Sequence, residues 1–319
     1  MLICQYRRKP LPHKVLITQK LLKSCEDTIF EKFNAARLYE QKDPESFLQH
    51  NGNKFTAIAG YEVDAPLMDK LPNLEIIANF GVGYDGIDIK AAAKRSIAVC
   101  NTPDVLNDAM AEMTIGLMIA LSRKIIPADN FVRSGEWIIK NFPLQSELKG
   151  KTAGIVGLGR IGKEIALRCK SMKMQVVYFG RTHQKDQPYE YFADLVSMAK
   201  NCDWLIVATP GGKETRNLVN EHILSALGKT GFLVNIARGS VVDEASLVKK
   251  LLQGELAGAA LDVFENEPNV PPALFKLENV IRAPHQGSAT RQTRNAMGEL
   301  VVANLEAFFA GKPLLTKVI

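Results

Sequence analysis

Along most of the chain, short runs of β-branched and apolar residues alternate with segments of helix length, the arrangement that builds parallel sheets from βαβ units. In the first third, KVLIT (14–18), TAIAGY (56–61) and LEIIANF (74–80) read as buried strands. Residues 104–123 read as a long helix, with Asp104, after Pro103, as its expected cap. Six sharper runs follow: TAGIVG (152–157), QVVYFG (175–180), WLIVAT (204–209), GFLVNIA (231–237), GAALDVF (258–264) and NVIRAP (279–284), enough for a complete doubly wound sheet. Between them, DEASLVKKLLQG (243–254) opens on acids, carries lysines later and ends on glycine, as the helix dipole and capping favour. A last helical stretch runs from beyond Pro284 to about Gly311. The pattern predicts an α/β protein of two domains, the long helix leading from the first into the second and the last helix returning, with a cleft between them.

Length agrees: 319 residues is about two domains at the ~150 residues typical of one. Apolar residues at 46% and charged residues at 23% exclude disorder, collagen and coiled coil. The net charge of +6 comes from basic residues scattered apart from short clusters, Arg7-Arg8-Lys9 and Lys249-Lys250, so no nucleic-acid partner is expected. Cys4, Cys25, Cys100, Cys169 and Cys202 lie far apart and form no C-x-x-C pair or metal-ligand cluster. Reduced thiols and no bound metal are therefore expected. The start lacks the apolar core of a signal peptide, and the longest apolar stretch, 115–121, is far short of the ~20 residues a membrane span needs. A cytoplasmic protein without membrane association is the expectation.

Two stretches satisfy G-x-G-x-x-G. Gly157-Leu158-Gly159-Arg160-Ile161-Gly162 follows a strand, opens a helix over about 160–173 and leads to a second strand, within the ~30 residues of a dinucleotide-binding unit. There Gly157 permits the tight turn, Gly159 lets the backbone approach a pyrophosphate and Gly162 lets helix and strand pack, while the helix N-terminus offers free N–H groups to phosphate. Gly81-Val82-Gly83-Tyr84-Asp85-Gly86 also follows a strand, but the next strand-like run, IAVCN (97–101), comes too soon for a full helix. It reads either as a turn whose N–H groups bind a substrate carboxylate or as a structural turn.

The second strand of the dinucleotide unit ends FGRTHQK: Gly180 stands where an NAD-specific fold places an acid, followed by Arg181, Thr182 and nearby Lys185. With no carboxylate to repel a 2′-phosphate and a guanidinium to bind it, NADP(H) is the preferred cofactor and NAD(H) the alternative. The competing reading is that Arg181 stacks on the adenine or lies in solvent. Three further residues follow strands: Arg238 in NIARGSVVDE, Glu267 in LDVFENEP and His285 in APHQGSAT. They suit reduction of a 2-oxo acid, with a guanidinium for the carboxylate and carbonyl, an imidazolium to protonate the oxygen and a carboxylate to hold that imidazolium.

GLGRIG, NIARGSVVDE, LDVFENEP and PHQGS, in this order and spacing, together with NFGVGYDGID (79–88), NTPDVLNDAMAEMTIGL (101–117) and the ending GKPLLTKVI, resemble the D-isomer-specific 2-hydroxyacid dehydrogenase family over essentially the whole chain. Within it the nearest likeness is to NADPH-preferring glyoxylate/hydroxypyruvate reductases, including the plant hydroxypyruvate and hydroxyphenylpyruvate reductases. The resemblance implies a Rossmann cofactor domain over 102–285, a flavodoxin-like substrate domain from 1–101 and 286–319, and a homodimer. It makes His285 the acid/base, Glu267 its partner, Arg238 the substrate anchor, and Val82 and Gly83 the amides that hold the substrate carboxylate. Thr209, Pro210, Thr215, Ala237, Asp262 and Gly287, with Arg238, fall at positions lining the cofactor in the family. Met110 stands where many members have Thr. Trp137 lies where some reductases send an aromatic side chain into the neighbouring subunit's site, or it packs at the dimer interface.

The function so implied is NADPH-dependent reduction of glyoxylate or hydroxypyruvate to the D-2-hydroxy acid. Alternatives are another dehydrogenase of the family, of hydroxyphenylpyruvate or phosphoglycerate type, or a dinucleotide-sensing corepressor-like binding protein. Formate dehydrogenases of the family carry Gln beside the histidine, which Glu267 argues against. A chain ending at Ile319 leaves no room for an appended regulatory domain.

Overall fold

A computed structural model describes residues 14–319, so Cys4 and the cluster Arg7-Arg8-Lys9 lie outside the described residues. The chain divides into two compact units, one running to Val105 and resuming at Arg291–Ile319, the other spanning Leu106–Thr290. The breaks after 105 and 290 fall slightly later than the boundaries read from sequence, after 101 and 285.

The first unit is built on β1 (Lys14–Ile17), β2 (Asn34–Arg37), β3 (Ala57–Gly60), β4 (Ile76–Asn79) and β5 (Ala98–Cys100), paired in parallel in the order β2-β1-β3-β4-β5. Strands β3 and β4 are buried at every residue, as expected of a parallel sheet covered on both faces. β2, reading NAAR, was not legible, because a half-exposed edge strand of small and polar residues has no apolar run to betray it. The helix Arg291–Phe309 returns to this unit and buries Met297, Val301, Val302 and Leu305.

The second unit carries β6 (Thr152–Val156), β7 (Gln175–Phe179), β8 (Glu190–Phe192), β9 (Trp204–Val207), β10 (Phe232–Asn235), β11 (Gly258–Leu261) and β12 (Val280–Arg282). All pair in parallel, in the order β12-β11-β10-β9-β6-β7-β8. The sheet has seven strands where six were expected. The addition, β8, is three half-exposed residues beside β7, too short to stand out. Side chains alternate between the faces: Leu205, Val207 and Leu233 enter one core, Trp204, Ile206 and Val234 the other. The chain runs outward from β6 to β7 on one side and returns to β9 on the other, so the turn after β6 lies at the switch point where such sheets bind ligands.

The long helix spans Asn107–Ser122, and Asp104 is not its cap. Leu106 holds that position without a side-chain bond, while Asp104 adopts a φ of 69°, outside the extended geometry an N-cap needs. The helix Glu244–Leu252 ends as expected, with Gly254 at a φ of 67° past its last turn, and at its start Asp243 accepts from the Ser246 N–H at 3.1 Å.

Candidate active site

Arg238, Glu267 and His285 all stand just beyond the C-terminal ends of neighbouring strands β10, β11 and β12. His285 Nδ1 lies 2.7 Å from Glu267 Oε2. Burial raises the Glu267 carboxyl, but the hydrogen bonds from His285 and the Phe264 N–H, with the charges of His285 and Arg238, outweigh it and hold the group below its ordinary range. An ionised carboxylate can only accept, so Nδ1 carries the proton and Nε2 is the ring nitrogen left for other chemistry.

The backbone around this pair is built to hold it. His285 has a φ of 49°, and its N–H donates to the Asp262 carbonyl at 2.8 Å. The buried Asp262 carboxylate then takes the Gln286 and Gly287 N–H groups, each at 2.8 Å. Burial raises the Asp262 carboxyl and these two donors oppose that rise. A Cβ on Gly287 would fall 2.6 Å from Met110 Sδ, which places Met110 directly under the His285 loop. On the neighbouring strand the buried Asn235 uses both ends of its amide, accepting from the Ala237 N–H at 3.1 Å and donating to the Arg238 carbonyl at 3.0 Å. Gly239 brings the two loops together: a Cβ there would meet the Phe264 carbonyl carbon at 1.9 Å. Among the described residues no cluster of three or more His, Cys, Asp or Glu side chains gathers to hold a metal.

The turn after β6 fits a dinucleotide. Gly157 has a φ of 99° and lies so close to Thr209 that a Cβ would meet its backbone at 3.0 Å, and a Cβ on Gly162 would meet the Gly157 carbonyl oxygen at 2.2 Å. Gly159 differs, since a Cβ there meets nothing within 4 Å, the open face where a pyrophosphate can approach. Arg160 and Ile161 open the helix Arg160–Ser171 from this turn. Arg181 and Thr182 are exposed beyond β7, and Arg181 makes no hydrogen bond or ion pair among the described residues. Their loop is nevertheless pinned: Gln184 donates to the Leu158 carbonyl at 2.8 Å and Tyr191 to the Gly180 carbonyl at 3.2 Å. Thr209 is half-buried, Pro210 exposed and Ala237 buried, while the Thr215 hydroxyl is spent within its own loop on the Pro210 carbonyl at 2.8 Å.

In the first unit, Val82 and Gly83 follow β4. The fully buried Asn79 donates to the Gly81 and Gly83 carbonyls at 2.8 and 2.9 Å, and Asn101 donates to the Val82 carbonyl at 2.9 Å. In a trans peptide the C=O and N–H point opposite ways, so drawing the Gly81 and Val82 carbonyls inward turns the Val82 and Gly83 N–H groups outward. Neither N–H finds an acceptor among the described residues. Trp137 sits in the short turn Glu136–Ile138 with 64% of its surface exposed, near Ile138 at 92% and Leu144 at 100%.

The supporting residues Asn79, Asn101, Asn235, Gly239 and Gln184 escaped the sequence reading. The two buried asparagines left a signal: each is the polar last residue of an otherwise apolar strand, IIAN and FLVN.

The family model of the D-isomer specific 2-hydroxyacid dehydrogenase NAD binding domain matches residues 115–287. The chain is 44% identical to a glyoxylate/hydroxypyruvate reductase A of Arabidopsis thaliana over 308 residues, 96% of this chain and 98% of the relative. It is 43% identical to the hydroxyphenylpyruvate reductase of Plectranthus scutellarioides over 297 residues, 92% and 95% of the two chains. Its fold superposes with a TM-score of 0.90 and 42% identity on the NADPH-dependent glyoxylate/hydroxypyruvate reductase of Sinorhizobium meliloti, solved with NADP and malonate, over 96% of this chain and 97% of that one.

Proposed function

The chain belongs to the D-isomer-specific 2-hydroxyacid dehydrogenase family and is an oxidoreductase with a nicotinamide dinucleotide cofactor, and from that premise we propose that it reduces glyoxylate and hydroxypyruvate to D-2-hydroxy acids with NADPH. The observation that carries this reading is the His285–Glu267 pair at 2.7 Å, beside Arg238, on the strand ends of a sheet whose switch-point turn fits a dinucleotide. The cofactor, held by Gly157–Gly162 and Arg181, supplies the hydride when bound. The Val82 and Gly83 amides and Arg238 take the substrate carboxylate. His285, its Nδ1 proton fixed on Glu267, gives the Nε2 proton to the developing alkoxide, a role worth typically 10²–10⁴-fold in rate. Arg181, unpartnered and with no acid at Gly180 to oppose it, supports NADPH over NADH.

A second copy of the chain is the occupant we assign to the segment carrying the exposed apolar residues Trp137, Ile138 and Leu144. The described cysteines, Cys25, Cys100, Cys169 and Cys202, are all free, which supports a reducing compartment such as the cytoplasm. Among the described residues no helix is long and apolar enough to cross a membrane.

One experiment tests the reaction and the cofactor together: a spectrophotometric panel of glyoxylate, hydroxypyruvate, pyruvate and hydroxyphenylpyruvate with NADPH and NADH, on wild type and His285→Asn. Turnover of the first two acids with NADPH, lost by at least a hundredfold in the variant while NADPH binding stays intact, is the expected outcome. Partner-dependent binding without measurable turnover would favour the corepressor-like alternative.

A further inference from the structure

We propose that the C-terminal segment positions the Val82–Gly83 amides through Thr316, an inference that rests on the carboxylate-binding role given to those amides above. Asn304, fully buried in the helix Arg291–Phe309, uses its whole hydrogen-bonding capacity on three residues. Its Oδ1 accepts from the Leu315 and Thr316 N–H groups at 3.0 and 3.3 Å, and its Nδ2 donates to the Thr316 hydroxyl at 2.9 Å and the Leu300 carbonyl at 2.8 Å. Thr316, fixed in this way, grips Asn101 at both sides of its backbone. The Thr316 hydroxyl donates to the Asn101 carbonyl at 2.6 Å, and the Asn101 N–H donates to the Thr316 carbonyl at 3.3 Å. Asn101 in turn holds the Val82 carbonyl at 2.9 Å, and the opposite end of that peptide is the Gly83 N–H.

The chain of bonds is therefore Asn304, Thr316, Asn101, Val82, and its last member sets the direction of a proposed substrate donor. A hydroxyl that spans two partners in this chain cannot be replaced by a methyl group without releasing one end of Asn101. Thr316 is a positioning residue: it touches no substrate, and its effect passes through Asn101. The tail does more than close the fold, because without it the turn after β4 keeps the Asn79 bonds that aim Val82 and loses the support that aims Gly83.

The test compares Thr316→Val, which keeps the shape and removes the hydroxyl, with Thr316→Ser, which keeps the hydroxyl, in the full chain. Amide hydrogen exchange at residues 101–102, whose N–H groups donate to the Thr316 and Gly81 carbonyls, and steady-state kinetics with glyoxylate at saturating NADPH are measured on both. Thr316→Val is expected to raise the exchange rate and the KM about fivefold each, the size of one lost hydrogen bond, with kcat within about twofold of wild type. Thr316→Ser restores both values. Unchanged exchange and KM in Thr316→Val, or a Ser variant indistinguishable from Val, overturns the proposal. Should Thr316→Val fail to fold, Asn101→Ala removes only the last bond of the chain and carries the same measurements. If wild type does not turn over 2-oxo acids, the functional reading falls, and the exchange measurement still decides the tail's role.

Discussion

The turns Gly157–Gly162 and Gly81–Gly86 share one glycine pattern and each follows a buried parallel strand, yet they differ in construction and in the ligand proposed for each. After β6, the turn runs straight into the twelve-residue helix Arg160–Ser171, so its free N–H groups are those of a helix end. After β4, the next helix is only Ile89–Lys94, and the free N–H groups are those of an irregular turn whose carbonyls are drawn inward by Asn79 and Asn101. A helix end collects several aligned dipoles and suits the pyrophosphate of a dinucleotide. Two outward amides suit one carboxylate. What glycine does differs from position to position: Gly157 and Gly162 in the first turn and Gly86 in the second are required by close approach to backbone, Gly86 to the Tyr61 carbonyl oxygen at 2.7 Å, whereas at Gly81 a Cβ would meet nothing nearer than 3.5 Å and at Gly159 nothing within 4 Å.

The sharpest way to break that comparison is to add the missing methyl groups one at a time. Gly162→Ala drives its Cβ against the Gly157 carbonyl oxygen, a backbone atom that cannot yield. We expect a loss of about 3 kcal/mol or more, the upper end of the cost of overpacking, seen as a melting temperature lowered by roughly 10 °C and as lost dinucleotide binding. Gly81→Ala is expected to melt within about 2 °C of wild type, as a substitution that meets only ordinary contacts. Gly159→Ala separates packing from ligand: its melting temperature stays at the wild-type value while the dinucleotide Kd rises at least about tenfold, because the added methyl stands only in the path of the pyrophosphate. Equal effects of the three substitutions on melting would erase the distinction between the turns.

These differences also mark how far the sequence could be read. The dinucleotide turn was legible because its function lies in local features: strand, glycine spacing and helix follow one another within a single unit. The strand-end residues Arg238, Glu267 and His285 were legible for the same reason, each standing at the edge of an apolar run. The turn after β4 stayed open between a ligand site and a plain bend, because the bonds that shape it come from residues distant in sequence. Asn101 approaches from the next strand and Thr316 from the end of the chain. β8 and β2 were missed because edge strands of three or four half-exposed residues carry no apolar period. The expected cap Asp104 failed because the spacing alone could not tell that the chain turns twice, at Asp104 and Leu106, before the helix begins.

A smaller effect sharpens the comparison at the cofactor end. Arg181 is the charged side chain proposed to meet the 2′-phosphate of the dinucleotide. Arg181→Ala should lower the ratio of kcat/KM for NADPH over NADH by about tenfold to a hundredfold, the range of a hydrogen bond to a charged group. Paired kinetics with the two cofactors measure it. An unchanged ratio would leave Arg181 stacking on the adenine or lying in solvent.

The smallest effect separates the two units by pH. The carbonyls of the turn after β4 are drawn inward by neutral amides, Asn79 and Asn101. The second unit's edge depends on Glu267, whose carboxyl is held below its ordinary range once the hydrogen bonds from His285 and Phe264 have overcome the effect of burial. Its unfolded value is near 4.3. Because the folded value is the lower one, folding favours the carboxylate: the stabilisation is fully present above the unfolded value and drains away as pH falls through the folded one. Glu267→Gln keeps the side-chain shape and removes the titration. Urea midpoints followed from about pH 6 to about pH 3 should therefore fall more steeply for wild type than for the variant, with the divergence beginning below about pH 5. Because Glu267 is partly exposed, solvent screening keeps the divergence modest. Parallel curves would mean that the 2.7 Å pairing with His285 does not bias Glu267 toward its charged form, and the assignment of the Nδ1 proton, which depends on that charge, would fall with it.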